Sequence, residues 1–206
     1  SLSLSFMMND IYKTIVDKSE GIYTEKRSKF IAYAFPVQSE DEVKVILDEH
    51  RKEYYDARHI CWAYMLGAER TNFRSNDDGE PSGTAGKPIL GQINSNELTD
   101  ILILVIRYFG GTKLGTSGLI VAYREAALLA IESADIVERT VDDIIKVSFD
   151  YEAMNGVMKV VKDVNPQILD QSFDLRCAMT LRIRQSDSEN LVDRLRKVEG
   201  VKCEVE

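Results

Sequence analysis

The chain has 206 residues, of which 44% are hydrophobic and 29% charged, the balance of a globular protein rather than a disordered one. Its formal net charge is −8, so the chain-wide positive field of a nucleic-acid binder is absent and any such binding must use a local patch. The longest strongly apolar run, Ile101–Ile106, is six residues, far short of the roughly 20 that a membrane span needs.

The opening Ser1–Phe6 has neither the basic start nor the long apolar stretch of a signal peptide. Two segments, Ile11–Glu25 and Ser28–Val37, read as strands. In the second, Phe30, Ala32, Ala34 and Pro36 alternate with Ile31, Tyr33 and Phe35, so both faces are expected to be covered. Ser39 with Glu42 forms a capping box for a helix whose apolar stripe is Val43, Ile46 and Leu47. Residues 60–67 form a strand rich in β-preferring residues. Ala68–Pro88 is polar and glycine-rich without core periodicity and reads as a long loop. Pro88 then opens a short helix from Ile89. Ile101–Tyr108 is a central strand. Gly110-Gly111 breaks it, and from Ser117 a helix carries Leu119, Ile120, Tyr123, Ala127, Ala130, Ile131 and Ala134 on one side.

The last third changes character, with a boundary near Glu138–Val141. A strand is expected at Asp143–Phe149. A helix follows at Glu152–Asp163 with Met154, Val157, Met158 and Val161 inward, and Pro166 ends it. Ile168–Phe173 and Leu175–Arg184 read as a hairpin whose second strand alternates Leu175, Cys177, Met179, Leu181 and Ile183 inward. Ser186 and Glu189 suggest a second capping box, and Val201–Val205 a last strand. The order βαββαβ is that of a ferredoxin-like domain. The chain is therefore expected to be α+β, with one domain at 10–138 and another at 141–206. The cysteines Cys61, Cys177 and Cys203 are odd in number and in no CxxC pair. Buried free thiols and a cytoplasmic setting follow.

Three stretches hold nearly all the polar residues that the elements leave unexplained: Asp56–His59, Asn76–Pro88 and Arg107–Gly118. Each sits at a strand end, where a fold presents groups on a rigid support. Glycine amides near a helix start can hold an anion, although neither glycine-rich stretch has Walker A spacing. Gly110-Gly111 and Gly115 equally serve simply to turn a strand into a helix. Asp56, Asp77, Asp78 and Glu80 are candidate oxygen ligands for Mg²⁺ or Ca²⁺, and no other cofactor is indicated. An acidic turn in water reads the same way. His59 is either a general base or a structural histidine. Arg176, Arg182 and Arg184 share a strand face without the aromatics that RNA-binding sheets use.

Taken together, DARHICWAY (Asp56–Tyr64), NDDGEPSGTAGKP (Asn76–Pro88) and IRYFGGTKLGTSGLIVAY (Ile106–Tyr123) closely resemble the YigZ/IMPACT family, in its short, bacterial-type form. The resemblance implies an N-terminal domain like the second domain of ribosomal protein S-five. It also implies a C-terminal domain resembling the last domain of elongation factor G. By fold-level analogy it implies a cytosolic RNA- or ribosome-associated protein, a translation regulator among the roles that fit. On that reading Arg58, His59, Lys87, Arg107 and Lys113 supply local positive charge, and amides around Gly83, Gly86, Gly110, Gly111 and Gly115 meet phosphate. The rivals are a metal-assisted enzyme acting on a small phosphorylated or peptide-like substrate, and a protein-interaction module. The resemblance supplies no enzymatic activity.

Overall fold

The computed structural model describes residues 10–206; the signal-peptide reading of Ser1–Phe6 lies outside them. Contacts divide the chain into two units, one of Tyr12–Arg139 and one of Thr140–Glu206 together with Asp10 and Ile11.

The first unit follows the order β1 (Ile11–Ile15), β2 (Ser19–Glu25), β3 (Ser28–Pro36), α1 (Glu40–Glu53), β4 (His59–Leu66), β5 (Asn72–Asn76), α2 (Gly86–Ser95), β6 (Ile101–Tyr108), α3 (Gly115–Glu132) and β7 (Ile136–Thr140). Ile11–Glu25 is therefore two strands rather than one. β1 pairs with β7, while β2 joins a five-stranded sheet of order β2-β3-β6-β4-β5, antiparallel throughout.

β6 lies at the centre of that sheet, with helices on both of its faces. Ile103 and Val105 face Ile89, Leu119, Tyr123 and Ala127 of α2 and α3. Leu102, Leu104 and Ile106 face Val43 and Leu47 of α1. That double cover is why six apolar residues run without alternation, all fully buried. Small residues let α3 approach closely: a methyl group on Gly21 of β2 would lie 2.6 Å from the backbone of Leu129 and Ala130.

The stretch 68–88 is not all loop, because β5 pairs with β4 from Asn72 to Asn76. Its sequence, NFRSN, carries one apolar residue and lies at the sheet's edge, so it has no burial pattern to betray it. α2 begins at Gly86, three residues before Ile89, with Pro88 in its first turn. α3 begins at Gly115, two residues before Ser117, and Ala122 and Ala126 join its buried side.

The second unit contains β8 (Asp142–Phe149), a short 3₁₀ turn at Tyr151–Ala153, α4 (Met154–Val164), β9 (Gln167–Phe173), β10 (Cys177–Arg184), α5 (Gln185–Arg196) and β11 (Lys202–Val205). Its sheet has the order β11-β8-β10-β9 and is antiparallel. In the unit's own numbering this is 4-1-3-2, the split βαβ connectivity. One core holds Val157 and Val161 of α4 and Leu191 and Leu195 of α5 against Ile145, Val147, Met179 and Leu181, so both helices cover the same face.

Three expectations are corrected here. Met158 is exposed, and Val160 takes its place in the core. Leu175 precedes β10 and stands fully exposed. Ser186 is not an N-cap, since α5 starts at Gln185. The acceptor for the Ser186 amide is the Asp10 carboxylate, 3.1 Å away and 176 residues earlier. The three cysteines are free and buried. No described helix is long and apolar enough to cross a membrane.

Candidate functional site

The loop after β5 folds around its own acids. The Asp77 carboxylate accepts from the amides of Gly83 (3.0 Å), Ala85 (3.2 Å) and Gly86 (2.8 Å). It thereby caps α2, whose own N-cap residue, Ala85, has no side chain to do so. The glycine-rich amides thus do hold an anion, and the anion is Asp77. The Asp78 carboxylate accepts from the Ile60 amide at 2.7 Å, pinning the loop to β4. Asp78 (φ 42°) and Gly79 (φ 85°) adopt left-handed backbone to make the turn.

That turn drives Glu80 inward. Its carboxylate accepts two hydrogen bonds from Nη1 of Arg107, at 2.7 and 2.8 Å, and one from the Tyr123 hydroxyl at 2.6 Å. Nε2 of His59 lies 3.2 Å away. Nδ1 of His59 donates to the carbonyl oxygen of Asp78 at 2.7 Å, which directs the other ring nitrogen at Glu80. Glu80, Arg107 and Tyr123 are all buried, and Nε of Arg107 is buried without a partner. The guanidinium also lies 5.5 Å from the Phe30 ring and 5.7 Å from the Phe109 ring. Burial, with Cys61 and Glu80 beside it, pushes the Tyr123 phenol well above its ordinary range. Burial likewise raises the Cys61 thiol, which donates to the Asp77 carbonyl; such a thiol is a poor nucleophile.

His59, Asp77, Asp78, Glu80, Gly83, Gly86 and Arg107 therefore meet at one end of the sheet, joined by direct hydrogen bonds. Arg107 does not present its charge outward, because Glu80 takes it. Asp56 is exposed and accepts from the Tyr108 hydroxyl at 2.9 Å. Burial first, and then that bond, push the Tyr108 phenol up to about 12. Each of the four candidate metal ligands is thus engaged by protein donors, and no group of three acidic, histidine or cysteine side chains is placed to hold a metal among the described residues.

The outward-facing part is a rim. Arg58 stacks over the exposed Phe109 ring at 4.9 Å. Lys113, Gly111 and Gly115 are exposed on the segment leading into α3, and Lys87 is exposed on the first turn of α2. Gly110 packs against the β2–β3 turn: its amide donates to Ser28 Oγ at 3.1 Å. A methyl on Gly110 would lie 2.1 Å from the carbonyl carbon of Arg27, so only glycine fits. The sequence places this break between strands at Glu25 and Ser28, but Lys26 and Arg27 were not among the candidate site residues. Glu25 pairs with Ser28, leaving Lys26 (φ 46°) and Arg27 (φ 68°) as a two-residue hairpin loop in left-handed backbone. Lys26 further lines a cavity of roughly 270 Å³ with Tyr23, Glu25, Leu114, Ser117 and Gly118. The run of Lys26, Arg27 and Lys29 in an otherwise acidic chain was the available signal. Tyr123 was also missed, read only as part of an apolar stripe.

On the second unit, Arg176 precedes β10 and pairs with Asp150, while Arg184 makes a two-pronged pair with Asp10 at 2.9 Å. Arg182 is exposed.

The fold and this cluster define a two-unit α+β protein with a buried Glu–Arg–Tyr–His clamp closing a glycine-rich loop. Residues 26–131 match the Impact N-terminal domain family. A Haemophilus influenzae IMPACT family member is 35% identical over 182 residues, covering 85% of this chain and 87% of its own length. The Bacillus subtilis IMPACT family member YvyE is 37% identical over 152 residues, 74% of this chain and 70% of that protein. The chain belongs to the IMPACT family. A Dictyostelium discoideum protein named an IMPACT homolog matches less of the chain, 40% identical over 45% of it and 27% of its own length. Among solved structures, a hypothetical protein superposes with a TM-score of 0.68 at 24% identity, covering 94% of this chain and 96% of its own. That likeness establishes the fold.

Proposed function

We propose that this chain is a cytosolic RNA- or ribosome-associated protein of translation control, contacting RNA through the rim formed by Lys26, Arg27, Arg58, Phe109 and Lys113. The observation that carries this reading is the β2–β3 turn. A two-residue loop with both positions left-handed favours Asn-Gly, and non-glycine residues there carry a conformational cost of about 1 kcal/mol each. This chain places Lys and Arg in those positions, both exposed. Local strain of that kind points to a demand other than stability. Arg58 over Phe109 adds an exposed aromatic and a guanidinium plane, the pair that single-stranded bases stack on. Arg107 and the Gly83–Gly86 amides contribute indirectly, by holding the loop beneath.

The test follows from the turn. Replacing Lys26 with Asn and Arg27 with Gly removes two charges while relaxing the backbone, so thermal stability should hold or rise. Adding Arg58→Ala and Lys113→Ala completes the set. Four cations releasing counterions from single strands give a log–log salt slope of about −3. Binding to ribosomes and to single-stranded RNA, measured across salt, should lose about half of that slope with the turn variant and nearly all of it with the fourfold variant. Arg182→Ala should leave it unchanged. No binding at low salt, or binding indifferent to the turn, would overturn the reading.

A further inference from the structure

The second unit leaves one edge of its sheet unfinished. Among the described residues, β9 has β10 on one side and no neighbouring strand on the other, so alternate amides and carbonyls along it point outward without a ladder partner there. Edge strands are ordinarily blunted by shortness, lysine, proline or a bulge. The opposite edge follows that rule: β11 has four residues and begins with Lys202. β9 has seven, QILDQSF, with neither lysine nor proline. Its devices are the charge of Asp170 and a bulge at Leu169, which has no opposite residue on β10.

The side chains say which face is incomplete. Ile168 lies opposite Leu181, and Phe173 opposite Cys177. Directly opposed residues share a face, and both partners belong to the core. Ile168 and Phe173 therefore stand on the core side of the sheet, yet they are 41% and 40% exposed. Asp170 and Ser172, opposite Thr180 and Ala178, stand on the other side, and Asp174 follows. A second copy docked edge to edge about its centre would oppose Asp170 to Asp170, a like-charge pair.

We propose that the β9 edge binds an extended peptide segment of a partner protein as an added strand, one alternating apolar residues with basic ones. Its apolar side chains continue the core beside Ile168 and Phe173, its cations meet Asp170 and Asp174, and its backbone completes the ladder. This inference is independent of the RNA reading, which concerns the other unit.

The probes are labelled peptides of about eight residues, the span of one strand: alternating Lys and Val, alternating Glu and Val, and the Lys/Val peptide with alternate nitrogens methylated. Binding to the full chain is read by fluorescence anisotropy. The Lys/Val peptide should bind, and the other two should be weaker by about tenfold or more. Ile168→Lys with Phe173→Lys should weaken Lys/Val binding by a similar factor. Should that variant unfold, the methylated peptide decides alone, since it leaves the protein untouched. Equal binding of all three peptides, or none, overturns the proposal. So does a concentration-dependent dimer, seen by sedimentation, that the double variant abolishes, because a second copy would then hold the edge.

Discussion

The five-stranded sheet of the first unit carries helices on both faces, whereas the four-stranded sheet of the second carries them on one. The consequence for polar residues is direct. At the end of a doubly covered sheet a charge has no route to water, so Arg107 on β6 must be met by Glu80, whose carboxylate is in turn held by Tyr123 and His59. On the second unit, charges such as Arg182 and Lys146 stand on the open side, and ion pairs form at the surface. The same residue types therefore act as internal clamps in one unit and as solvated groups in the other.

The sharpest way to break this contrast is to remove one acid from each unit. Glu80→Ala strands a buried guanidinium and a buried phenol, and should cost about 3–5 kcal/mol in urea unfolding. Asp163→Ala removes the partner of Arg194, in a pair whose side chains are 36% and 44% exposed, and should cost less than about 1 kcal/mol. Comparable losses would show that the clamp is energetically an ordinary surface pair.

A middle case comes from Asp10. Its buried carboxylate receives both prongs of Arg184 and the Ser186 amide, so it caps α5 from a distant part of the chain. Asp10→Ala should destabilise by about 1–2 kcal/mol at neutral pH. The bond from Arg184 holds the Asp10 carboxyl down at about 2, below its ordinary 3.8. A carboxyl with a depressed folded value stabilises fully above its unfolded value and loses that contribution as pH falls through the folded one. The gap in stability between wild type and Asp10→Asn should accordingly close between about pH 4 and pH 2. A gap that persists below pH 2 would assign the effect to shape rather than charge.

What the sequence made legible follows the same division. On the second unit's single-covered sheet, the alternation of Cys177, Met179, Leu181 and Ile183 marked β10 and its inward face directly. In the first unit, continuous burial still marked β6, but the edge strand β5 had no apolar pattern to read. The candidate site was legible as a set of residues and not as an arrangement. Asp77, Asp78 and Glu80 drew attention as a run of acids, but their partners are not local. Arg107 is 27 residues from Glu80 and Tyr123 is 43, and the amides that occupy Asp77 belong to the glycines first assigned to phosphate. Ser186 misled for the same reason, since its capping carboxylate lies 176 residues away. Long-range pairing of polar groups leaves no periodic trace.

Among the helix starts, the smaller effect should come from Ser39, whose side chain caps its own helix locally. Ser39 Oγ accepts the Glu42 amide at 3.2 Å, and the Glu42 carboxylate accepts the Gln38 amide at 2.7 Å. The reciprocal box is therefore present but displaced by one residue, since Glu42 reaches past Ser39 to Gln38. Both hydrogen bonds are exposed, so water can replace either acceptor once it is lost. Ser39→Ala should cost about 0.5–1 kcal/mol, toward the low end of capping substitutions. Ser39→Asp, which keeps the acceptor and adds negative charge at the start of α1, should be neutral or slightly stabilising. Urea unfolding of the two variants beside Asp10→Ala decides the matter. If the Ser39→Ala loss equals or exceeds the Asp10→Ala loss, a cap brought in from a distant segment and locked by arginine holds its helix no better than a serine in water.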